Sequence, residues 1–453
     1  MPAAAIAEER AEYERRIDGQ TLCTRLLETA ERHPARPAFS DRIDGEWRTL
    51  SWAQTRQRAL EIAAGFAALG LRPGEVVALM MPNRSEHVLA DLGAVHAGGV
   101  PTTVYATLAA DQVAYVAANC AATIAVLDGR DQLDRWQPVL DRLPALRTII
   151  VIDADACPAG APYVTWDDFV ALGRERLAAD GGAEIDRRWQ AVTSGDTLTV
   201  LYTSGTTGHP KGVVITHAMA LYEAAVSEAT SDLPEHNVGV SYLPFAHIAD
   251  RVLSMYLPVT RAAHIHFCPD PAQLTTVLGE VRPNMFFGVP RVWEKIMAGI
   301  QAVLGMEQDE QKKAAVTRAM AAGRAYVEAC EYGRTPTAEV TAAFEQADST
   351  VLSLIRGLLG IDRVVHAMSA AAPLPLEVAR FFAGLGVRIL DVYGMTETTG
   401  AVTANTSEAF KLGTVGRAFP GVEVRLAGDG EILVRGATCT PGYLNRPEAT
   451  AEL

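Results

Sequence analysis

The feature that most limits the fold is an alternation of short aliphatic runs with longer amphipathic stretches. Gly74–Asn83 (GEVVALMMPN), Ala122–Gly129 (ATIAVLDG) and Arg147–Asp155 (RTIIVIDAD) are apolar runs that end in turn residues, the pattern of strands buried on both faces. Between them, Trp52–Gly70 sets Leu60, Ile62, Ala63, Phe66 and Leu69 near helical spacing. Strands that alternate with helices predict parallel α/β sheets. A second such set runs from about Thr197 to Leu390.

Two later segments differ. Gln301–Gly357 is rich in Ala, Glu, Gln and Lys and predicts two or more helices, broken at Glu331–Thr337 (EYGRTPT). Gly413–Gly436 alternates apolar and polar residues between Gly and Pro, which predicts short antiparallel strands with an Asp-Gly turn. No internal repeat or low-complexity tract interrupts the 453 residues, a length that supports two to four lobes.

A hydrophobic fraction of 49% against 21% charged residues is the balance of an ordinary globular chain. The net charge of −14 repels polyanions, so nucleic acid and anionic membrane are poor partners and a phosphate ligand needs a locally prepared pocket. Six cysteines lack CxxC or metal-finger spacing and read as isolated thiols in a reducing compartment. Met1–Arg16 carries Glu8, Glu9, Glu12 and Glu14 and no apolar core, so it is not a signal peptide. No apolar run approaches the roughly 18 residues of a membrane span. A soluble, cytoplasmic protein is expected.

The strongest local signal is Leu198–His217 (LTVLYTSGTTGHPKGVVITH). An apolar strand runs into Thr203, Ser204, Gly205, Thr206, Thr207, Gly208, His209, Pro210 and Lys211, and a second strand, Val213–Ile215, follows. Hydroxyls, backbone N–H groups freed by glycine and one ammonium are the donors a pyrophosphate needs. The Walker A spacing is missing and a strand follows the lysine, which argues against a P-loop kinase or ATPase. The plainer reading is a Ser/Thr/Gly-rich surface hairpin, although a solvated turn has no need of so many successive hydroxyls and glycines.

The loop resembles the phosphate-binding signature of the adenylate-forming superfamily, which includes acyl-CoA synthetases, adenylation domains and firefly-type luciferases. Further matches follow in family order. Asp391–Gly400 (DVYGMTETTG) is similar to the adenine and metal segment. The resemblance implies that Asp391, Tyr393, Gly394 and Met395 lie at the nucleotide, with Tyr393 stacked on adenine. It further implies Thr396 at the α-phosphate and Glu397, with Thr206, at Mg²⁺. An aromatic face suits a purine, and a carboxylate suits a hard cation. Alone, this segment could be an ordinary strand-to-turn sequence. Ala370, Ala371 and Ala372, followed by Pro373, form the segment before the adenine site; the three alanines stand where the family often has glycines, and small side chains let a flat base approach the backbone; a simple approach to a helix is the other reading.

Ser241–Arg251 (SYLPFAHIADR) resembles the segment whose histidine faces the substrate carboxylate, which makes His247 a candidate; a lone histidine in such a run is otherwise a core residue. Phe286–Ile296 (FFGVPRVWEKI) is similar to long-chain acyl-CoA synthetases, and the resemblance implies a substrate pocket at Gly288, Val289 and Trp293. There Trp293 either gates a fatty-acid tunnel or simply packs. The implied catalytic set is Lys211, Thr396, Glu397 and His247.

The implied fold is the large N-terminal domain of adenylate-forming enzymes: two parallel-sheet α/β lobes, near 18–190 and 191–390, the second with a helical insertion at 301–357, plus a small β-barrel-like lobe at 391–453. The family's ribose-binding aspartate, hinge and small C-terminal domain with its catalytic lysine would follow Leu453. A chain cut short is therefore expected, one that binds nucleotide and acid but adenylates slowly. The implied chemistry is ATP- and Mg²⁺-dependent conversion of a carboxylic acid, a fatty acid by the subfamily likeness, to acyl-AMP and then, in the intact protein, to a CoA thioester. Two rivals stand beside it. One keeps the adenylation but hands the group to an amine or a carrier-protein thiol, or activates another oxyanion such as nitrite. The other is a non-catalytic nucleotide-binding relative. A homodimer is left open.

Overall fold

The computed structural model describes residues 3–157, 160, 162–203 and 209–453. The aliphatic runs form a five-stranded parallel sheet, in the order Val100–Thr103, Val76–Met80, Ile124–Leu127, Thr148–Val151 and Val164–Thr165. Val76–Met80 is buried along its whole length, as expected of a parallel strand covered on both faces. One cover is the helix Trp52–Ala68. Ser51 caps it by accepting from Gln54 N–H, while the Gln54 side chain accepts from Ser51 N–H, so two end donors are satisfied reciprocally.

A second five-stranded sheet runs Met285–Phe287, His366–Ser369, Ile389–Met395, Gly400–Ala404 and Arg417–Ala418. Its first three strands are parallel and the last two antiparallel. A four-stranded sheet joins distant sequence: Val238–Ser241 and His264–Phe267 pair in parallel, and His264–Phe267 also pairs in parallel with Pro37–Ile43, which forms a hairpin with Glu46–Ser51. This sheet draws strands from both sides of position 190. Its aromatic face, with Phe39 stacked on Phe267 and edge-on to Trp52, lies in the largest apolar cluster.

The insertion is helical: Pro290–Met306, Glu310–Ala329, and Ala338–Ala347 continuing through a wide turn into Ser353–Leu358. Its break falls at Glu331–Gly333, where Tyr332 and Gly333 take φ of 60° and 71°. The buried Glu331 carboxylate ties this corner to the rest by accepting from Lys411 Nζ and Leu412 N–H. Near the end, Glu423–Leu426 and Ile432–Arg435 form a two-stranded antiparallel ribbon. Among the described residues, no helix is long and apolar enough to cross a membrane.

Candidate active site

The hairpin Thr197–Thr203 and Lys211–Thr216 pairs Thr203 with Lys211, which fixes the two ends of the hydroxyl-rich loop side by side. Thr216 then caps the helix His217–Ala229 by accepting from Met219 N–H. The loop residues Ser204, Gly205, Thr206, Thr207 and Gly208 lie outside the described residues. Next to them, His209 stacks on Tyr115 at 4.5 Å between ring centroids.

A cavity of ≈ 520 Å³ opens beside this hairpin. The strand Ile389–Met395 leads to it and ends in the short turn Thr396–Thr398. Thr398 ties that turn, its hydroxyl accepting from Met395 N–H, and Thr399 Oγ1 donates to Thr438 at 2.7 Å. Gly394 permits close strand contact there, since a Cβ would meet the Gly400 carbonyl at 1.8 Å. Thr396 and Glu397 are thereby presented at the same cavity as Thr203 and Lys211.

Tyr443 links the two stretches. Its hydroxyl donates to Glu397 Oε1 at 2.9 Å, and Lys211 Nζ sits 4.8 Å from the centre of its ring. Backbone bonds from Leu444 N–H to the Gly212 carbonyl and from Val214 N–H to the Gly442 carbonyl hold the tyrosine against the hairpin. Among the described residues Lys211 forms no ion pair with a carboxylate, so its charge is left for a ligand. One ammonium beside one carboxylate, at the rim of a concave site, suits a metal-bound polyphosphate.

His247 caps the short helix Ile248–Arg251, its Nδ1 accepting from Ala249 N–H at 3.2 Å. With Nδ1 as acceptor, the neutral ring carries its proton on Nε2. Burial lowers its pKa and favours that neutral form. A π-turn at Val252–Tyr256 follows, and Val252 and Leu253 line the cavity together with Leu233, Leu257, Met285 and Phe287.

Of the residues singled out in the sequence, the cavity wall brings together Thr203, Lys211, His247, Ala370, Ala371, Gly394, Met395, Thr396 and Glu397. Ala372, Pro373, Asp391 and Tyr393 are not on that wall. Asp391 is buried behind it, its carboxyl pushed up to about 6 by burial and partly held down by the backbone N–H groups of Leu374 and Val392. Tyr393 pairs with Thr403 through its backbone and packs against the apolar cluster that contains Val402 and Phe419. Gly288, Val289 and Trp293 also lie off the wall. Trp293 is fully buried between Phe286 and Phe382 and donates to the Met368 carbonyl at 3.1 Å. Gly288 makes that possible, because a Cβ there would stand 2.6 Å from the indole nitrogen. The indole therefore supports the strand behind the cavity. Ala371 takes φ 73°, a left-handed conformation that costs an alanine roughly 1–2 kcal/mol and that a glycine adopts without strain.

Tyr443, Glu223 and His366 are on the wall but lie outside the motifs singled out in the sequence. Tyr443 lies in Gly442–Leu453, beyond the last of those motifs. Glu223 lies inside the helix after the hairpin; its Oε1 accepts from Ala401 N–H at 2.7 Å, and burial pushes its carboxyl up to about 8. The spacing of Glu223, Ser227, Thr230 and Ser231, polar positions on one face of an Ala-rich helix, was the available signal.

The residues fit Mg²⁺ in one mode only. Among the described residues no group of three or more His, Cys, Asp or Glu could enclose an ion. Glu397 offers one carboxylate near Lys211, to which Tyr443 links it, and Mg²⁺ commonly binds through one or two carboxylates with substrate phosphates and water supplying the rest.

Residues 26–444 match the AMP-binding enzyme family. The chain is 32% identical over 444 residues to the long-chain-fatty-acid--CoA ligase ACSBG2 of Xenopus laevis, covering 95% of this chain and 59% of that protein. It is 39% identical over 269 residues to the putative fatty-acid--CoA ligase fadD11 of Mycobacterium tuberculosis, covering 59% of this chain and 47% of that one. It thus spans 59% or less of these relatives' length. Among solved structures, the anthranilate CoA ligase AuaEII in complex with anthranoyl-AMP superposes with a TM-score of 0.70 at 18% identity, over 96% of this chain and 72% of the other. The N-terminal domain of FACL13 from Mycobacterium tuberculosis gives 0.67 at 22% identity, over 95% and 93%. At such identities the likeness is one of fold.

Proposed function

The chain belongs to the AMP-binding enzyme family, and on that premise we propose that it carries the adenylation site of an acid:thiol ligase. The observation that supports this best is the shared cavity, where the loop-end pair Thr203 and Lys211 meets the turn Thr396–Glu397 and the histidine His247. In the proposed reaction a substrate carboxylate oxygen attacks the α-phosphorus of ATP. A new P–O bond forms, the bond to the bridging oxygen breaks, and pyrophosphate leaves with the electron pair. In the whole protein the CoA thiol then attacks the acyl carbon: a C–S bond forms, the C–O bond to AMP breaks, AMP leaves with the electron pair and the thiol proton is released. The relatives' names point to a fatty acid as the acid.

Two anions must meet, so the work is neutralisation and alignment. Lys211 supplies a point charge toward the phosphates, and the loop N–H groups and the Thr396 hydroxyl supply donors. His247 donates from Nε2 to the carboxylate. Tyr443 positions both charged groups: its hydroxyl orients Glu397 and its ring face holds the Lys211 ammonium, a contact worth about 0.5–2 kcal/mol depending on desolvation. Glu397, with Thr206, would hold Mg²⁺, whose charge offsets that of the phosphates.

A titration of the chain with a non-hydrolysable acyl-adenylate, the N-acylsulfamoyl adenosine of a fatty acid, tests the reading. Binding is expected, weakened at least tenfold by Lys211→Ala. In the whole protein, Glu397→Gln should lower Mg·ATP-dependent pyrophosphate release by about 10²–10³, the usual cost of losing one positioned group at a developing charge. Absence of analogue binding, or unchanged affinity without Lys211, would overturn the assignment.

A further inference from the structure

The cavity is two-faced. One wall is the apolar cluster of Leu233, Leu257, Met285, Phe287 and Met368. The same cavity is also lined by the helix His217–Ala229 and its exit, which contribute Glu223, Ser227, Thr230 and Ser231. An alkyl chain needs only the first wall.

Two groups on this cavity carry polar atoms with no partner. Glu223 is 2% exposed, and while Oε1 accepts from Ala401 N–H, Oε2 has no hydrogen-bond partner among the described residues. His366 is 7% exposed, and its Nδ1 likewise has none. His366 is in register with Met285, so it sits at the apolar wall itself. Burial keeps the ring neutral, its pKa lowered to about 4, so it offers one donor and one acceptor. A buried polar group without a partner costs roughly 1–3 kcal/mol, and native proteins keep few of them. The last torsion of a glutamate is soft, so either carboxyl oxygen can turn to a ligand while the other stays with Ala401.

We infer that the acyl end of the cavity selects a hydroxylated carboxylic acid over a plain alkyl acid, with Glu223 and His366 as the specificity-determining contacts. This rests on the adenylation reading above. A hydroxyl on the chain offers a partner to Glu223 Oε2 or His366 Nδ1, whereas a methylene offers neither; sites that hydrogen-bond a substrate hydroxyl reject the analogue lacking it strongly, by up to about 10⁴–10⁵ where the match is complete.

The probes are decanoyl-sulfamoyl adenosine and its analogues hydroxylated at an early, a middle and a terminal carbon, titrated into the 453-residue chain. At least one hydroxylated analogue should bind about tenfold tighter or better than the plain one. Glu223→Leu should erase that advantage without weakening the plain analogue, and Glu223→Gln, which keeps a donor and an acceptor, should retain it. Equal binding of plain and all hydroxylated analogues overturns the inference and leaves the adenylation reading standing. Equal weakening of both by Glu223→Leu does the same. Binding of none overturns both. Should Glu223→Leu fail to fold, a crystal structure with the tightest hydroxylated analogue decides: the hydroxyl within hydrogen-bond distance of Glu223 or His366 is expected, and a hydroxyl elsewhere overturns the inference.

Discussion

Two carboxyls, Asp250 and Glu223, are buried to the same degree, 4% and 2% exposed, yet their surroundings differ. Asp250 accepts from the Asn83 amide at 2.8 Å, from Ser241 at 2.6 Å and from Ser254 at 3.2 Å, so both oxygens are occupied. Glu223 has one backbone donor and a cavity beside it. The first arrangement is closed and stabilises the fold; the second is incomplete until a ligand arrives. Depth alone does not separate structural from functional polar groups, but the count of their partners does.

The sharpest test of that contrast is stability. Asp250→Leu leaves the Ser241 and Ser254 hydroxyls without this acceptor and the Asn83 amide with one acceptor fewer, and should cost about 3 kcal/mol of unfolding free energy. Glu223→Leu removes a half-satisfied group and orphans only the Ala401 N–H, so it should cost about 1 kcal/mol. Urea denaturation of the two variants measures this, and equal losses would erase the distinction.

Next in size is the pH dependence. Burial raises both groups, Asp250 to about 7 and Glu223 to about 8. Each keeps its proton in the folded chain at pH values where the unfolded chain has lost it. Stability is therefore fully present below the ordinary carboxylate range and declines as pH rises through the folded value. For Asp250 the window runs from 3.8 to about 7; for Glu223 it runs from 4.5 to about 8. Melting curves of Glu223→Gln should be flatter than the parent's between pH 7 and 8, while Asp250→Asn should remain as steep there. An unchanged slope in Glu223→Gln would mean that the carboxyl is ionised in the fold.

Glu397, at the phosphate end, belongs to the partnered kind through the Tyr443 hydroxyl. Tyr443→Phe should weaken adenylate-analogue binding by about 1 kcal/mol, less than Tyr443→Ala, which also removes the ring beneath Lys211. Calorimetric titration distinguishes them; equal effects would reduce Tyr443 to packing. The smallest effect is at Ala371. Its φ of 73° suits glycine, so Ala371→Gly should raise stability by about 0.5 kcal/mol, read as an upward shift in Tm.

What could be read in the sequence was local. The runs around Val76, Ile124 and Thr148 became parallel strands because β-branched and aliphatic residues leave no polar face, and Trp52–Ala68 became a helix because its apolar positions recur at the helical period. The break at Glu331–Gly333 followed from its glycine and its change of composition. The nine candidate positions on one cavity wall were reached by likeness of motif rather than by periodicity. The unread features depend on distance. No pattern near Glu223 announces Ala401 as its partner, none near Lys211 announces Tyr443, and Trp293 is buried because Gly288 and the Met368 carbonyl make room for it.

The pairing of Pro37–Ile43 with His264–Phe267 has a consequence for birth on the ribosome. Ser40 and His264, 224 residues apart, share a hydrogen bond, so the earliest hairpin has no parallel neighbour until that much more chain has been made. At about 5–20 residues per second, that is a wait of roughly ten seconds or longer with one strand edge bare. During synthesis, that edge is the place where a chaperone would have most to protect.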